Sequence, residues 1–159
     1  MDKLWAPWRV KYIHAKKSKG CIFCKGLKEE RKNFVFFKSK HSFAMLNIFP
    51  YNNGHVMVSP RRHIGDISQL KDEEALDLFR TLNKVRRLLD KVLKPQGYNI
   101  GVNLSKSAGA GITAHLHVHI VPRWVGDTNF MPVVFNTKVV SQSLNELYRK
   151  LNNAKSKKD

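Results

Sequence analysis

The sequence predicts an α+β domain: a mainly antiparallel sheet of about five strands, one long covering helix and a C-terminal helix. Three observations carry this. Short β-prone runs bounded by turn residues recur between positions 34 and 124. Between Asp72 and Leu93, apolar residues fall at 75, 78, 79, 82, 85, 88, 89, 92 and 93, which is helical spacing. The chain has 159 residues, enough for one core and too few for a second of any size.

Taken in order, residues 1–20 read as an arm in which Trp5 and Trp8 flank Pro7 before a basic stretch ends at Gly20. Tryptophan in a leading arm needs a surface to lie against, so the arm is expected to pack on the domain or on a second subunit. Residues 21–153 form the single domain, and 154–159 a basic tail expected to fray. Phe34–Phe37 and Ser42–Ile48 read as a hairpin around Ser39-Lys40-His41, closed by the turn-rich run from Phe49 to Gly54. His55–Ser59 is the next strand, stopped by Pro60. The long helix carries Asp72, Glu73 and Glu74 in its first turn and Lys91 and Lys94 in its last, matching the macrodipole, and Pro95 and Gly97 end it. Tyr98–Leu104 alternates, with Tyr98, Ile100, Val102 and Leu104 on one face. A small-residue loop, Ser105–Gly111, leads into a strand over His115–Trp124, and Leu144–Leu151 is the final helix.

Composition narrows the function classes. Lys and Arg number 29 against 12 Asp and Glu, a formal charge of +17, so the chain attracts polyanions: nucleic acid, nucleotides or acidic surfaces. With 42% hydrophobic residues it can build a core, which excludes global disorder. No window approaches 18 uncharged apolar residues, so nothing spans a membrane. The N-terminus lacks the apolar stretch of a secretory signal, and two cysteines are too few for a disulfide scaffold. The expected compartment is reducing and cytoplasmic.

The segment His115-Leu116-His117-Val118-His119-Ile120 is the most informative. Alternation along a strand sends the three histidines to one face and the apolar trio to the other, under the long helix. Solvated surface histidines, a metal site and acid–base or nucleophilic chemistry all have to be weighed. At strand rise, His115 and His119 lie roughly 13 Å apart. One ion with ligands at about 2.0–2.3 Å therefore cannot hold all three. Neutral imidazole is a nucleophile and its N–H a donor, so adjacent rings can divide the work on a phosphoryl group. The preceding loop, Ser105-Lys106-Ser107-Ala108-Gly109-Ala110-Gly111, is small enough for its backbone N–H groups to approach an anion, although it is not a P-loop.

HLHVHIVPRW resembles the signature of the histidine triad nucleotide hydrolases and transferases. The run from Leu46 through Gly54 to Val58 looks like that family's ribose-binding loop and following strand. LWAPWR and GVNLSKSAG look most like its diadenosine polyphosphate phosphorylase branch, and the similarity covers roughly residues 4 to 135. The resemblance implies the histidine triad fold and cleavage of dinucleoside polyphosphates or related nucleoside phosphate conjugates. It implies His117 as the nucleophile carrying a nucleotidyl group, with His119 and His55 facing the phosphates. Asn47 would bind ribose hydroxyls, Asn103 a phosphate oxygen, and the partner would be a second copy in a homodimer. The family commonly has Gln and then Ser or Thr four and three residues before its first triad histidine. This chain has Gly111 and Ile112 there, and Ser105, Lys106 or Ser107 are the candidates to take over those contacts.

Cys21-Ile22-Phe23-Cys24 can be a redox pair, two idle thiols or half of a zinc site. Redox pairs favour a βαβ setting that is missing here. Zinc needs two further ligands, for which His63 and His115 are the best candidates. Family members with an N-terminal C-x-x-C look similar, and there two cysteines, a distant histidine and the first triad histidine hold a structural zinc. That division frees His117 and His119 for chemistry. Two alternatives stand beside the enzyme reading. One is a nucleic-acid-binding module supported by the charge, although no helix-turn-helix, RNP-like strand or finger is evident. The other is an enzyme removing adenylate from nucleic-acid ends.

Overall fold

A computed structural model describes residues 20–127 and 142–156. The Trp-bearing arm, and with it the expected packing of Trp5 and Trp8, lies outside the described residues, as do 128–141 and 157–159. Five strands form one sheet: β1 (Val35–Lys38), β2 (Ser42–Leu46), β3 (Val56–Pro60), β4 (Gly97–Val102) and β5 (Val118–Arg123), in the order β1-β2-β3-β5-β4. Every neighbouring pair is antiparallel. The last strand thus inserts between β3 and β4 and occupies an interior position of the sheet. Among the described residues there are three helices, α1 (Ile22–Lys28), α2 (Asp72–Leu93) and α3 (Leu144–Ser156), with a 3-10 turn at Ile67–Gln69.

The two faces of the sheet are filled differently. On one, Ala44, Leu46, Val56, Val58, Val118 and Ile120 pack against Leu78, Leu82, Val85 and Leu89 of α2 and Leu147 and Leu151 of α3. Each such fully buried aliphatic side chain contributes about 1.5–3 kcal/mol relative to exposure. On the other face, Phe23 of α1 packs with Val35, Phe43, Met45 and Met57 in a second, smaller cluster. Period-2 alternation along β5 therefore delivers Val118 and Ile120 to the large core. His119 goes to the face shared with Met57, its cross-strand neighbour.

Several boundaries differ from expectation for identifiable reasons. The helix over 72–93 is as expected, closed by Lys94 in the left-handed region before Pro95. The final helix runs to Ser156 rather than Leu151, since Asn152, Ala154 and Lys155 still find partners: Asn152 on the Tyr148 carbonyl, Lys155 on the Phe36 carbonyl, and Ala154 on the core. The short helix α1 was not expected at all; seven residues are too few for a periodic signal. The strand expected from His115 begins only at Val118. Opposite His115 to His117 the ladder stops because Pro60 has no N–H and the Ser59 hydroxyl takes the Leu116 carbonyl at 2.7 Å.

The loop between β2 and β3 is held from within. Asn52 Nδ2 donates to the Pro122 carbonyl (3.0 Å) and to Asp127 (2.8 Å), while its Oδ1 accepts from the Asn53 N–H. Gly54 closes the loop at φ 76°, and a Cβ there would run into the Leu93 side chain and come within 3.1 Å of Pro122. Both the backbone conformation and the space exclude a side chain. Gly54→Ala is expected to cost about 1–3 kcal/mol of stability in a denaturant titration. A loss below about 0.5 kcal/mol would show that the loop yields more easily than this packing implies.

Candidate active site and metal centre

His55, His117 and His119 gather on the sheet face opposite α2, and their hydrogen bonds determine which ring nitrogen carries the proton. The backbone N–H of Tyr51 donates to His55 Nδ1 at 3.0 Å, so that nitrogen is an acceptor and the proton sits on Nε2. His55 Nε2–H faces His119 Nδ1 at 2.9 Å, which makes His119 the acceptor and leaves its own proton on Nε2. His117 Nδ1–H donates to the carbonyl of His115 at 2.9 Å, leaving Nε2 with a free lone pair. One ring therefore presents a base and its neighbour presents a donor. Their centroids are 4.9 Å apart in an edge-on arrangement.

Electrostatics keeps these rings neutral. Burial, followed by repulsion from His119 and His117, pushes His55 down to about 3. Burial and then His117 push His119 down to about 4. Burial also lowers His117, opposed by its bond to the His115 carbonyl. Neutral imidazoles are what nucleophilic attack requires near pH 7.

The loop preceding β3 supplies the remaining walls. Asn47, nearly buried, accepts the Phe49 N–H on Oδ1 at 2.9 Å and brings Nδ2 to 3.3 Å from His55 Nδ1. Its polar atoms thus brace the loop and His55. Tyr51, half exposed, covers His55 and His119 with ring centroids 4.5 and 5.8 Å away. Tyr51 was not singled out from the sequence, where it read as one residue of a turn. An exposed aromatic next to an Asn-Asn-Gly turn and a histidine was the only signal. Phe43 and Met45 are buried in the second cluster, while Ile48 remains at the surface. Asn103 follows β4, whose register, continued by one pair beyond Val102 opposite Val118, sets it level with His117. Ser105, Lys106 and Ser107 lie on the exposed turn beyond it. No hydrogen bond among the described residues joins those three to the histidines. Ile112 packs against the second cluster.

His115 points away from this group. Its ring is fully buried, Nε2–H donates to the Pro60 carbonyl at 2.9 Å, and Nδ1 faces Cys21 Sγ (3.2 Å), Cys24 Sγ (3.6 Å) and His63 Nδ1 (3.2 Å). Cys24 Sγ lies 3.3 Å from His63 Nδ1, and all four ligand atoms fall within 4.8 Å of one another. Four donors placed tetrahedrally at zinc–nitrogen and zinc–sulfur distances of about 2.0–2.3 Å stand about 3.3–3.8 Å apart. The four contacts of 3.2, 3.2, 3.3 and 3.6 Å are close to that spacing, and all four positions are protein atoms. His63 is held from the neighbouring residue: Arg62 forks onto Glu74 of α2 at 2.8 and 2.6 Å. The Arg62 hydrogen bond holds the Glu74 carboxyl down at about 2.

Comparison with known proteins agrees with this arrangement. Residues 28–125 match the family described as the HIT domain. The chain is 35% identical over 162 residues to a Mycobacterium tuberculosis protein named AP-4-A phosphorylase, spanning 95% of this chain and 83% of that one. It is also 35% identical over 102 residues to the Schizosaccharomyces pombe protein named asymmetrical bis(5'-nucleosyl)-tetraphosphatase, across 64% of this chain and 56% of that one. Among solved structures, a Zn-bound histidine triad family protein from Mycobacterium smegmatis superposes with a TM-score of 0.69 at 25% identity, covering 85% and 92% of the two chains. With the paired sheet, the alternating histidines and the matched span in agreement, the chain belongs to the HIT domain family.

Proposed function

We propose that this protein is a nucleotidyltransferase-type hydrolase or phosphorylase that cleaves dinucleoside polyphosphates, of the diadenosine tetraphosphate kind, through a covalent nucleotidyl-His117 intermediate. The observation that carries the reading is the orientation of His117, whose Nδ1–H is tied to the His115 carbonyl so that the Nε2 lone pair is free beside the Nε2–H of His119. The names of the M. tuberculosis and S. pombe relatives support the substrate class.

In the first step Nε2 of His117 bonds to the α-phosphorus. The P–O bond to the leaving phosphate breaks, and its electron pair departs with that oxygen, which His119 Nε2–H receives by hydrogen bond. The Nδ1 proton stays against the His115 carbonyl, so the adduct is an imidazolium joined to an anionic phosphoryl group. In the second step an oxygen of water or of inorganic phosphate attacks phosphorus, the N–P bond breaks, and its pair returns to Nε2. With water the extra proton goes to solvent. Attack on phosphorus in two displacements replaces one hard step by two easier ones. Asn103 is assigned to a phosphate oxygen, and Ser105, Lys106 or Ser107 to the leaving phosphates, for which Gly111 and Ile112 offer no polar side chain.

Cys21, Cys24, His63 and His115 are assigned a structural zinc. A closed site of this kind supplies cross-linking rather than an open coordination position, and it fastens α1 to the sheet. The partner is a second copy of the chain. Support for this comes from β4, which pairs only with β5 among the described residues and carries the half-exposed Ile100. No helix among the described residues is long and apolar enough to cross a membrane, and the reducing cytoplasm is the compartment in which both thiols stay available to zinc.

His117→Ala should bind nucleotide with nearly unchanged affinity while kcat falls by about 10⁴-fold or more and the adduct disappears from mass spectra. Full turnover in that variant overturns the assignment, as does steeply salt-dependent oligonucleotide binding with no dinucleotide turnover in the native protein. Products formed from diadenosine tetraphosphate with and without inorganic phosphate separate the two second steps: ADP formed only with phosphate marks a phosphorylase. Elemental analysis of protein purified without added metal should find about one zinc per chain, lost in Cys24→Ser. Metal-free native protein of unchanged melting temperature would end that assignment. Because His55 and His119 titrate at about 3 and about 4 when folded, against about 6.5 unfolded, the unfolded chain binds more protons between those values. Stability should therefore be full above pH 7 and fall as pH drops from 6.5 towards 4, by up to about 1.4 kcal/mol per unit per group. Melting temperatures that stay flat from pH 7 to 4.5 would contradict this.

A further inference from the structure

We propose that Phe23 is a positioning residue for the nucleophile: carried between the two candidate zinc thiols, its ring holds the His117 imidazole in its attacking orientation and faces the charge that ring acquires in the adduct. This rests on the reading of His117 as nucleophile.

Phe23 is fully buried, the second residue of α1, one position before Cys24 and two after Cys21. Its ring centroid is 4.9 Å from that of His117 with the planes 32° apart, and 5.1 Å from that of His115 at 42°. An ordinary core phenylalanine packs among aliphatic groups. This one is laid across a candidate metal ligand and the candidate nucleophile together. Phe43 meets it edge-on from a third side, with centroids 6.4 Å apart. The His117 imidazole is thus met by three neighbours: the His115 carbonyl at Nδ1–H, His119 in a T-shaped contact, and the Phe23 ring tilted 32° to it. The hydrogen bond constrains the nitrogen it holds but leaves the ring free to tilt about that axis. A flat wall at one face removes the tilt, and with it the spread of Nε2 positions that precede bond formation.

The contact also changes in character during the reaction. Neutral His117 gains little from a phenyl face beyond dispersion. Once Nε2 is bonded to phosphorus and Nδ1 keeps its proton, the imidazole is a cation within the ~6 Å range of cation–π attraction, in a desolvated setting. That attraction acts on the intermediate and the approach to it, and not on bound substrate. Losing it should lower kcat with little change in KM. The C-x-x-C turn is what brings the ring there, so one short segment serves both the proposed zinc and the proposed nucleophile.

The test compares Phe23→Leu and Phe23→Met, which keep an apolar side chain of similar bulk without a ring, with Val35→Ala, which trims the same cluster on β1, where β2 and β3 stand between it and β5. Diadenosine tetraphosphate turnover, the rate of adduct appearance, zinc content and melting temperature are measured on the full chain. The expected result is a kcat and adduct-formation rate about tenfold lower in both Phe23 variants, with KM within about twofold. Zinc should stay at the native level, and Val35→Ala should be near native in rate even where its melting temperature falls as far. Native rates in the Phe23 variants overturn the inference and leave the nucleophile assignment intact. Equal rate losses in Val35→Ala, or loss of zinc or of folding in both Phe23 variants, also overturn it by showing a purely structural role. A native protein that forms no adduct removes the functional reading and this inference with it.

Discussion

The 2.9 Å hydrogen bond from His117 Nδ1–H to the His115 carbonyl is the contact on which the rest of the site depends. It fixes the tautomer that leaves Nε2 basic, and it ties the residue proposed to do chemistry to the one proposed to hold metal. Three polar atoms of His115 are committed: Nε2–H to Pro60, Nδ1 to the thiol cluster, and the carbonyl to His117. Moving the His115 ring would displace its carbonyl and so rotate the nucleophile. The ladder of β5 stops short of these residues, and this frees the His115 carbonyl for a side chain instead of a neighbouring strand.

A parallel economy operates on the other side of the triad. The Tyr51 N–H sets the His55 tautomer, His55 sets that of His119, and the Nε2–H of His119 is left for the substrate. Each orientation is inherited from a backbone group whose polarity cannot change with pH. Burial adds the condition that the rings stay neutral, at a cost in acid stability that the unfolded chain does not bear. The β2–β3 loop therefore has to be rigid, which explains Asn52 bridging Pro122 and Asp127 and a glycine where a side chain would meet Leu93.

Much of this was legible in the sequence because it rests on period. The 22-residue helix from Asp72 to Leu93 and the alternation of β5 follow from apolar spacing alone. The four candidate metal ligands come from C-x-x-C chemistry together with family resemblance. Strand ends were not legible, because they depend on pairwise events such as the Ser59 hydroxyl replacing a ladder bond. Helix α1 and Phe23 were hidden for a different reason. Seven residues carry no measurable period, and a phenylalanine inside C-x-x-C looks like any core aromatic until its neighbours are known. Tyr51 is similar, since only the folded loop lays it over two histidines.

The two departures from the family pattern separate by packing. Ile112 lies against the cluster that holds Phe23, so an apolar residue there extends the wall behind the nucleophile, and a hydroxyl would face hydrocarbon. Gly111 has no such constraint: it is exposed, its φ is unexceptional, and a Cβ would meet nothing within 4 Å. Backbone and space would both accept a glutamine at 111. The fold therefore constrains position 112 and leaves position 111 open. Lys106 on the adjoining exposed turn carries a charge, and a charged donor binds an anion more strongly than a neutral amide does.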